Sequence, residues 1–265
     1  MRFIYVTDLH GNKQNYEIVF DYALKHDVKI IHLGADLLPK GSGIQKNQKN
    51  FVKTYLKEYY KRAINAGITL LAFFGNDDLY TRKKYFREYG VLLDEVPQEI
   101  GEYVFQAYGY VPDYPFGLKS ACKVDYEGWE PESYISVPVE VIEDGFAPIV
   151  DIKSYFKAKG TIKEDLTLIK GHNKLIMAVH CPPSGLGLDI CYGGRQVGSD
   201  SIRQWIVEQQ PLLVLSGHIH ESPLVSRIWE GNLGQTRVVQ PGDQHFIDIE
   251  IDENRIITQL NELRK

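Results

Sequence analysis

The sequence lacks three features, each of which would point to a particular class of protein. No apolar run among its 265 residues reaches the roughly 20 residues that a bilayer-spanning helix needs. The three cysteines, Cys122, Cys181 and Cys191, are odd in number and show no C-x-x-C spacing, which disfavours a disulfide framework or a thiolate zinc site. Basic residues are outnumbered, with 30 Lys and Arg against 35 Asp and Glu, and the net charge of −5 argues against non-specific binding to nucleic acid.

The remaining composition is that of an ordinary soluble protein. The length suits one large domain, so we expect residues 1–265 to form a single domain. The chain begins M-R-F-I-Y-V-T-D and enters a strand at once, which leaves no room for a signal peptide. With the cysteine usage, this predicts a protein of the reducing cytoplasm that does not bind membranes.

The first ninety residues alternate short apolar runs with longer amphipathic ones. This rhythm predicts a mostly parallel sheet with helical crossovers. The predicted strands are Arg2–Val6, Val28–Leu33 and Ile68–Phe74, and the predicted helices are Lys13–Lys25, Asn47–Ala66 and Thr81–Tyr89.

The rhythm fails after Val91, where Gly101–Val111 is typical of paired strands. Residues 112–160 mix prolines, aromatics and acidic residues without periodicity, which predicts an insertion over the core. Later segments return to regular patterns. They are predicted helices at Ile162–Ile169 and Ser199–Glu208, and predicted strands at Lys174–Val179, Leu212–Leu215, Leu224–Trp229, Thr236–Val239, His245–Ile251 and Arg255–Leu260.

Metal-binding side chains occur in five separated fragments, each of which follows a predicted strand. Since the ends of parallel strands meet at one edge of a sheet, we expect these side chains to converge. They comprise two carboxylates, four imidazoles and one amide oxygen, a mixture that suits Mn²⁺, Fe or Zn²⁺ better than Ca²⁺ or Mg²⁺. The seven candidates are Asp8, His10, Asp36, Asn76, His180, His218 and His220.

Each fragment has an ordinary explanation when it is taken alone. Asp8 or Asp36 is about as typical of a helix cap or a turn as of a metal ligand. A lone histidine such as His180 is more often a hydrogen-bonded core residue. The ordered occurrence of all five fragments is what favours the metal site.

The order D-x-H, G-x-D, G-N-x-D, H and G-H-x-H resembles the calcineurin-like metallophosphoesterase superfamily, over positions 8 to 220. The segments C-P-P-S-G-L-G-L-D, G-G-R-Q-V-G-S and G-H-I-H-E-S-P resemble a small prokaryotic branch of it. The resemblance implies a mixed α/β fold in which two β-sheets form a sandwich flanked by helices. It also implies two metal ions. One would be held by Asp8, His10, Asp36 and His220, and the other by Asp36, Asn76, His180 and His218, with Asp36 bridging.

Charge arithmetic supports this interpretation independently. The charges of two divalent ions, two carboxylates and one bridging hydroxide sum to about +1, and this positive charge attracts a phosphate ester. The hydroxide would attack phosphorus in line, and the ions would stabilise the charge that develops on the equatorial oxygens. We therefore expect Asp36, Asn76 and Asp77 in the catalytic centre. The expected ions are two divalent transition metals, with Mn²⁺ favoured over Fe, Zn²⁺ or Ni²⁺.

Asp77 departs from the family pattern, because most members carry a histidine there that helps the leaving group depart. A carboxylate beside two cations is favoured in its ionised form and is therefore a poor acid. His172 and His245 are candidate donors by residue type only. Asp78 is expected to be a hydrogen-bond acceptor near the site or a helix N-cap.

Arg195 and Ser199 are the predicted substrate contacts, since a glycine-rich loop there leads into a helix start that can present N–H groups to phosphate. A solvated loop arginine is the equal alternative. Seven aromatic residues between Tyr108 and Tyr134 could roof a base-binding pocket, although core packing or a homodimer contact is favoured.

Three hypotheses about the function remain. The favoured one is a phosphodiesterase acting on a small or nucleotide-like phosphate ester. The others are a nuclease of the DNA-repair type, against which the negative net charge argues, and a metal-binding scaffold with weak or no catalysis.

Overall fold

Two six-stranded sheets form the centre of the computed structural model, which describes residues 1–93, 95–128, 134–143, 145–253 and 255–263. The strands of the first sheet are β1 (Arg2–Val6), β2 (Ile30–Leu33), β3 (Thr69–Ala72), β4 (Leu92–Leu93), β15 (His245–Asp252) and β16 (Arg255–Glu262). Their order is β16-β15-β1-β2-β3-β4. Strands β1 to β4 run parallel, while β15 and β16 pair antiparallel at one side, so the predicted mostly parallel sheet is confirmed.

The second sheet has the order β13-β14-β12-β11-β6-β5. Its four central strands run parallel, and each outer strand is antiparallel to its neighbour. The strands are β5 (Gln98–Ile100), β6 (Tyr103–Tyr108), β11 (Leu175–Val179), β12 (Leu213–Ser216), β13 (Glu230–Leu233) and β14 (Thr236–Val239).

Eight α-helices flank the sheets in the described residues. They are α1 (Lys13–Lys25), α2 (Ile44–Phe51), α3 (Lys57–Asn65), α4 (Lys83–Glu88), α5 (Ile152–Lys159), α6 (Ile162–Leu166), α7 (Asp200–Gln209) and α8 (Ser222–Ser226). A π-helical turn over Val52–Leu56 joins α2 to α3, so the predicted long helix exists but begins three residues earlier than expected. A 3₁₀ turn over Tyr80–Arg82 precedes α4.

Alternating side chains of β1 show how the layers are built. Ile4 and Val6 are fully buried in the apolar cluster under α1 to α4, whereas Phe3 and Tyr5 are fully buried in the cluster between the two sheets. This two-residue period is expected of a strand that is covered on both faces. Phe3 meets Phe105 of the second sheet with ring centroids 5.3 Å apart, so the two sheets pack directly on each other. The mixed α/β sandwich flanked by helices is therefore confirmed.

One predicted strand is wrong. Leu224–Trp229 was expected to be extended, but Ser222–Ser226 is a short helix with proline in its first turn. Pro223 fixes a helical φ and has no N–H to leave unpaired there, so it favours this conformation.

The segment 112–160 contains two small pairs of strands and α5. β7 (Val111–Pro112) pairs with β8 (Cys122–Lys123), and β9 (Val139–Ile142) pairs with β10 (Gly145–Pro148). Its apolar side chains share a cluster with those of α6 and α7 against the second sheet. The division of the chain into one domain with an insertion at 112–160 stays a prediction. Trp129, one of the aromatic candidates, lies outside the described residues.

In the described part of the chain, none of the helices has the length and apolar character that crossing a membrane requires.

Candidate metal centre

The predicted metal-binding side chains follow strands of both sheets. Asp8 comes two residues after β1 and Asp36 three residues after β2, and both strands end at the same edge because they are parallel. In the second sheet His180 comes directly after β11, and His218 two residues after the parallel strand β12. The ends of the two sheets therefore supply one site between them.

A first group of side chains consists of Asp8, His10, Asp36 and His220. Their potential ligand atoms all lie within 4.8 Å of one another. The Nε2 atoms of His10 and His220 are 3.0 Å apart, and Nε2 of His220 is 3.2 Å from Oδ1 of Asp8.

A second group consists of Asp36, His180 and His218, again with ligand atoms within 4.8 Å of one another. Nε2 of His180 is 3.2 Å from Oδ2 of Asp36 and 3.0 Å from Oδ1 of Asn76. All seven predicted side chains are thus brought together, and Asp36 belongs to both groups.

The chemistry of these donors fits transition-metal ions. Imidazole nitrogens and carboxylate oxygens lie within 4.8 Å of one another in each group, and such donors bind divalent transition-metal ions in proteins. The buried Nδ1 atoms of His10 and His180 have no hydrogen-bond partner among the described residues. The hydrogen-bonding capacity of these rings is therefore not used up by the protein.

Backbone strain is concentrated at the same residues. Asp8, His10, Asp36 and His218 have φ angles of 56°, 43°, 55° and 68°, in the left-handed region that residues with a Cβ atom rarely adopt. Such conformations cost about 1–3 kcal/mol each and persist where the surrounding structure holds them. Four strained residues around one point indicate a functional site.

Hydrogen bonds fix the two carboxylates. Asp8 accepts from the hydroxyl of Thr7 at 2.9 Å and from the backbone N–H of His218 at 3.0 Å. Asp36 accepts from the backbone N–H of Asp77 at 2.8 Å. A Cβ atom on Gly75 would lie 2.3 Å from a carboxylate oxygen of Asp36, so the glycine of G-N-D-D allows this close approach.

Charge pairing stabilises the cluster without metal. Burial opposes ionisation of Asp8, but the charge of His220 and its hydrogen bond hold the pKa of Asp8 well below its ordinary value. Burial likewise opposes the charge of His220, yet Asp8 raises the pKa of His220 to about 9. Burial lowers the pKa of His10 to about 4 and that of His218 to about 3. The site thus contains both charged and neutral imidazoles.

Asp77 lies beside the first group, with Oδ2 3.9 Å from Nδ1 of His10. Burial, and next the charge of Asp36, raise the pKa of Asp77 to about 7 in the absence of metal. Bound cations act in the opposite direction and favour the carboxylate.

Asp78 is a buried hydrogen-bond acceptor, one of the two roles predicted for it. It accepts from the N–H groups of Leu37, Leu38 and Gly75 at 3.1, 2.8 and 3.2 Å. It therefore ties the loop that carries Asp36 to the loop that carries Asn76.

Two residues near the site were not found from the sequence. Gln48 of α2 is fully buried, and its side chain donates to the carbonyl groups of Asp77 and Pro39 and accepts from the N–H of Leu79. Lys40, which is exposed, is close enough to act electrostatically on His10 and Asp77. Neither belongs to a metal-binding motif, so only the folded structure shows their position.

Arg195 and Ser199 lie outside both groups. Ser199 is fully buried at the N-terminus of α7, where it donates to Asp125 at 2.5 Å and caps the N–H of Ile202. Asp125 also accepts from the N–H groups of Asp200 and Ser201, so a carboxylate of the protein already occupies this helix N-terminus. Arg195 lines a separate cavity of about 190 Å³. Their contact with substrate stays a prediction that this arrangement does not favour.

The other candidates take different places. Tyr114 stacks on His218 with centroids 5.0 Å apart, and Phe116 packs on the edge of the same ring. His245 begins β15 opposite the end of β1, at the edge that carries Asp8. His172 precedes β11 and so lies a strand's length, about 16 Å, from its end. Position therefore favours His245 over His172 as a proton donor.

The role of Gln48 can be tested by the change Gln48→Leu. It leaves up to three backbone groups without a partner, at a cost of about 1–3 kcal/mol each where they stay buried. We expect a lower free energy of unfolding in urea and weaker Mn²⁺ binding, because the loop carrying Asp77 loses its support. Gln204→Leu, on an exposed face of α7, is the matched control. Equal values for the two variants, within about 0.5 kcal/mol, would contradict this role.

Comparisons with known proteins agree with this geometry. The model of a family described as calcineurin-like phosphoesterase matches residues 1–222. The solved structure of TT1561 from Thermus thermophilus is 16% identical, covers 99% of both chains and has a TM-score of 0.57. A dimetal phosphatase from Danio rerio is 10% identical, covers 100% of this chain and 97% of its own, and has a TM-score of 0.55. Both show likeness of fold.

No curated protein sequence matches the chain. The family match nevertheless spans most of its length and contains all the clustered side chains. This protein belongs to the calcineurin-like phosphoesterase family, whose members bind divalent metal ions and hydrolyse phosphoesters.

Proposed function

We propose that this protein is a dinuclear phosphodiesterase that hydrolyses a small or nucleotide-like phosphodiester. The observation that carries the proposal is the convergence of two groups of ligand atoms on the shared carboxylate of Asp36. Two ions at these positions would supply Lewis acidity and an activated water nucleophile for in-line attack on phosphorus. Mn²⁺ is the favoured ion, with Fe, Zn²⁺ and Ni²⁺ as alternatives.

The residues of the chain would bind the two ions in two sets that share Asp36. Asp8, His10 and His220 would hold one ion, Asn76, His180 and His218 the other, and Asp36 both. Lys40 is a cation near the entrance that can attract the anionic ester without contributing a ligand atom. Substrate phosphate is thus recognised mainly by positive charge at the site.

Asp77 lies beside the first group of ligands, and as a carboxylate next to two cations it would be a poor proton donor. This favours substrates whose alcohol leaves readily, or donation by another group such as His245. The acidic net charge favours a small substrate over long nucleic acid. The three cysteines are free, as the predicted cytoplasmic location requires. Location and a homodimer stay predictions.

The proposal is tested with bis(4-nitrophenyl) phosphate as substrate and added Mn²⁺, Fe²⁺, Zn²⁺ or Ni²⁺. We expect turnover of the diester in preference to 4-nitrophenyl phosphate. Asp36→Asn should abolish at least about 99% of it, because even partners outside the metal's own ligands cost about 10- to 100-fold when removed. The control is Asp27→Asn, which also has a positive φ but is exposed far from the cluster. Absence of turnover with all four ions would favour the scaffold hypothesis, and cleavage of plasmid DNA would favour the nuclease.

Metal binding should release protons at pH 7. His220 is protonated in the metal-free protein, because its pKa is about 9, and a ligating imidazole must be neutral. We expect roughly one to three protons per chain, since Asp36 also raises the pKa of His180 against the effect of its burial, and bound cations would ionise Asp77, whose pKa is about 7 without metal. The release should fall as the pH rises through 9. Calorimetry in buffers of different ionisation enthalpy measures this number.

Two matched variants test whether His220 is a source of the released protons. His220→Gln should remove about one of them, whereas His26→Gln, outside the cluster, should change nothing. Heats that do not depend on the buffer would show that His220 is not a protonated ligand.

The role of Asp77 is tested with diesters whose leaving groups differ in pKa. If departure lacks a proton donor, rates should fall steeply as the leaving-group pKa rises. Asp77→His should then help the poor leaving groups most, since imidazole donates near neutral pH. Asn76→Ala, which weakens one metal, should instead depress all substrates alike. Wild-type rates that do not depend on leaving-group pKa, with no effect of Asp77→His, would show that another donor already serves the site.

A further inference from the structure

A cavity of about 620 Å³ opens directly beside the metal centre. Asn76 lines it together with its neighbours Gly75 and Asp78, so the cavity adjoins the predicted ligand whose Oδ1 is 3.0 Å from Nε2 of His180. Its other walls come from the end of β6, from residues 120–121 and from α5. A volume of this size is typical of sites for small organic molecules, roughly 300–1,000 Å³.

The floor of the cavity is formed by a close approach of the two sheets. A Cβ atom on Gly109 would lie 2.0 Å from the carbonyl oxygen of Phe74, so only glycine fits between the ends of β6 and β3. Because both Gly109 and Phe74 line the cavity, this contact gives the space a fixed base next to Asn76.

The described lining of the cavity carries no excess of positive charge. Lys83 pairs with Glu95 at 2.5 Å. Lys159 donates to the backbone carbonyl groups of Lys119 and Ser120 at 3.0 and 2.8 Å. With Glu140 and Asp78 also in the lining, two lysines face three carboxyl groups, and both ammonium groups are already hydrogen-bonded. A second phosphate or a carboxylate would gain little here, which favours an uncharged occupant.

Tyrosine rings dominate the remaining walls. Tyr108 donates its hydroxyl to Asp165 at 2.6 Å, and Tyr155 donates to the carbonyl of Lys119 at 3.4 Å, so these hydroxyls are held by the protein while the rings line the space. Tyr110 lies beside Tyr108 with centroids 5.6 Å apart. Tyr80 is half-exposed and also lines the cavity. The ammonium group of Lys159 lies over one face of Tyr110 and of Tyr155, 5.3 and 5.1 Å from their centroids. Another ring can stack on the remaining apolar faces of the tyrosines.

We propose that this cavity binds an uncharged, ring-bearing ester group of the substrate, of the size and chemistry of a nucleoside, while the phosphorus lies at the metal centre. This inference rests on the proposed phosphodiesterase function and names the class of diester that the site selects. A dialkyl ester would leave the cavity empty. A diphosphate would place a second negative charge in a cavity whose described lining has no unpaired cation.

The test compares two diesters with the same leaving group, thymidine 5′-(4-nitrophenyl phosphate) and methyl 4-nitrophenyl phosphate. Because both release 4-nitrophenolate, the ratio of their kcat/KM values reports the retained group alone. We expect the thymidine ester to be favoured by about tenfold or more, as stacking of one base contributes a factor of this order. A ratio near one would overturn the inference.

Variants test whether the preference for the thymidine ester arises in this cavity. Tyr80→Ala and Tyr155→Ala should each lower the ratio several-fold, whereas Tyr192→Ala, an exposed tyrosine elsewhere, should leave it as in the wild type. Tyr80 is half-exposed, so its truncation carries little risk to folding. An unchanged ratio in Tyr80→Ala and Tyr155→Ala would show that the thymidine group binds somewhere else and would overturn the assignment.

A binding measurement separates failure of this inference from failure of the proposed function. If neither diester is hydrolysed, the proposed function fails, and calorimetry with thymidine 5′-monophosphate, methyl phosphate and pyrophosphate still tests the cavity on the Mn²⁺-treated protein. Tighter binding of the nucleotide than of methyl phosphate, weakened in Tyr80→Ala, supports the inference. Equal binding of those two, or tightest binding of pyrophosphate, overturns it.

Discussion

The carboxylate of Asp36 is the point on which both halves of the molecule depend. It ends the loop after β2 in a left-handed conformation, accepts from the N–H of Asp77 and meets His180, which comes from the second sheet. Burial opposes its charge, but the neighbouring histidines lower the pKa of Asp36 to about 2. A buried anion of this kind is stable only while cationic partners surround it. The packing of the two sheets must therefore bring their strand ends together.

Without metal, the protein compensates internally. Protonated His220 offsets Asp8 across 3.2 Å, and His180 offsets Asp36 across the same distance. In these pairs a protonated histidine balances the charge of a carboxylate, as a bound cation would. The histidine nitrogen atoms involved are the same ones that would bind the metal ions. Metal and proton compete for the same groups, which links metal binding to pH. The left-handed conformation of Asp36 is held by its surroundings, because Asp78 accepts from the N–H groups of Leu37 and Leu38 and Gln48 donates to the carbonyl of Asp77.

The sequence predicted those parts of the fold that depend on local pattern. The strand Arg2–Val6 and the helix Lys13–Lys25 have the predicted bounds, because an uninterrupted apolar run and an asparagine N-cap define them locally. The seven clustered side chains were also identified, since each lies in a short motif at a strand end. The predicted strand Leu224–Trp229 failed because one proline outweighed the apolar alternation around it.

What could not be predicted depends on partners distant in the chain. Gln48 gains its importance only because α2 packs behind Asp77, 29 residues later. The cavity beside Asn76 needs α5 and the end of β6 to form its walls, and no periodicity in residues 112–160 reveals that contact. Tyr108 and Tyr110 were grouped with Tyr114 and Phe116 by composition, but the fold separates them into a cavity wall and a pair packed on His218.

The N-terminus of α7 is already bonded to a carboxylate of the protein and is not available to bind phosphate. A helix N-terminus with free N–H groups is an anion site, and Ser199 marks one in the sequence. In the structure Asp125, 75 residues before Asp200, fills that position with its own carboxylate and so ties the segment 112–160 to α7. The helix dipole is thus used for folding. Under the proposed function, the bound metal ions and Lys40 would attract phosphate, and the cavity lined by Asn76 would select among esters.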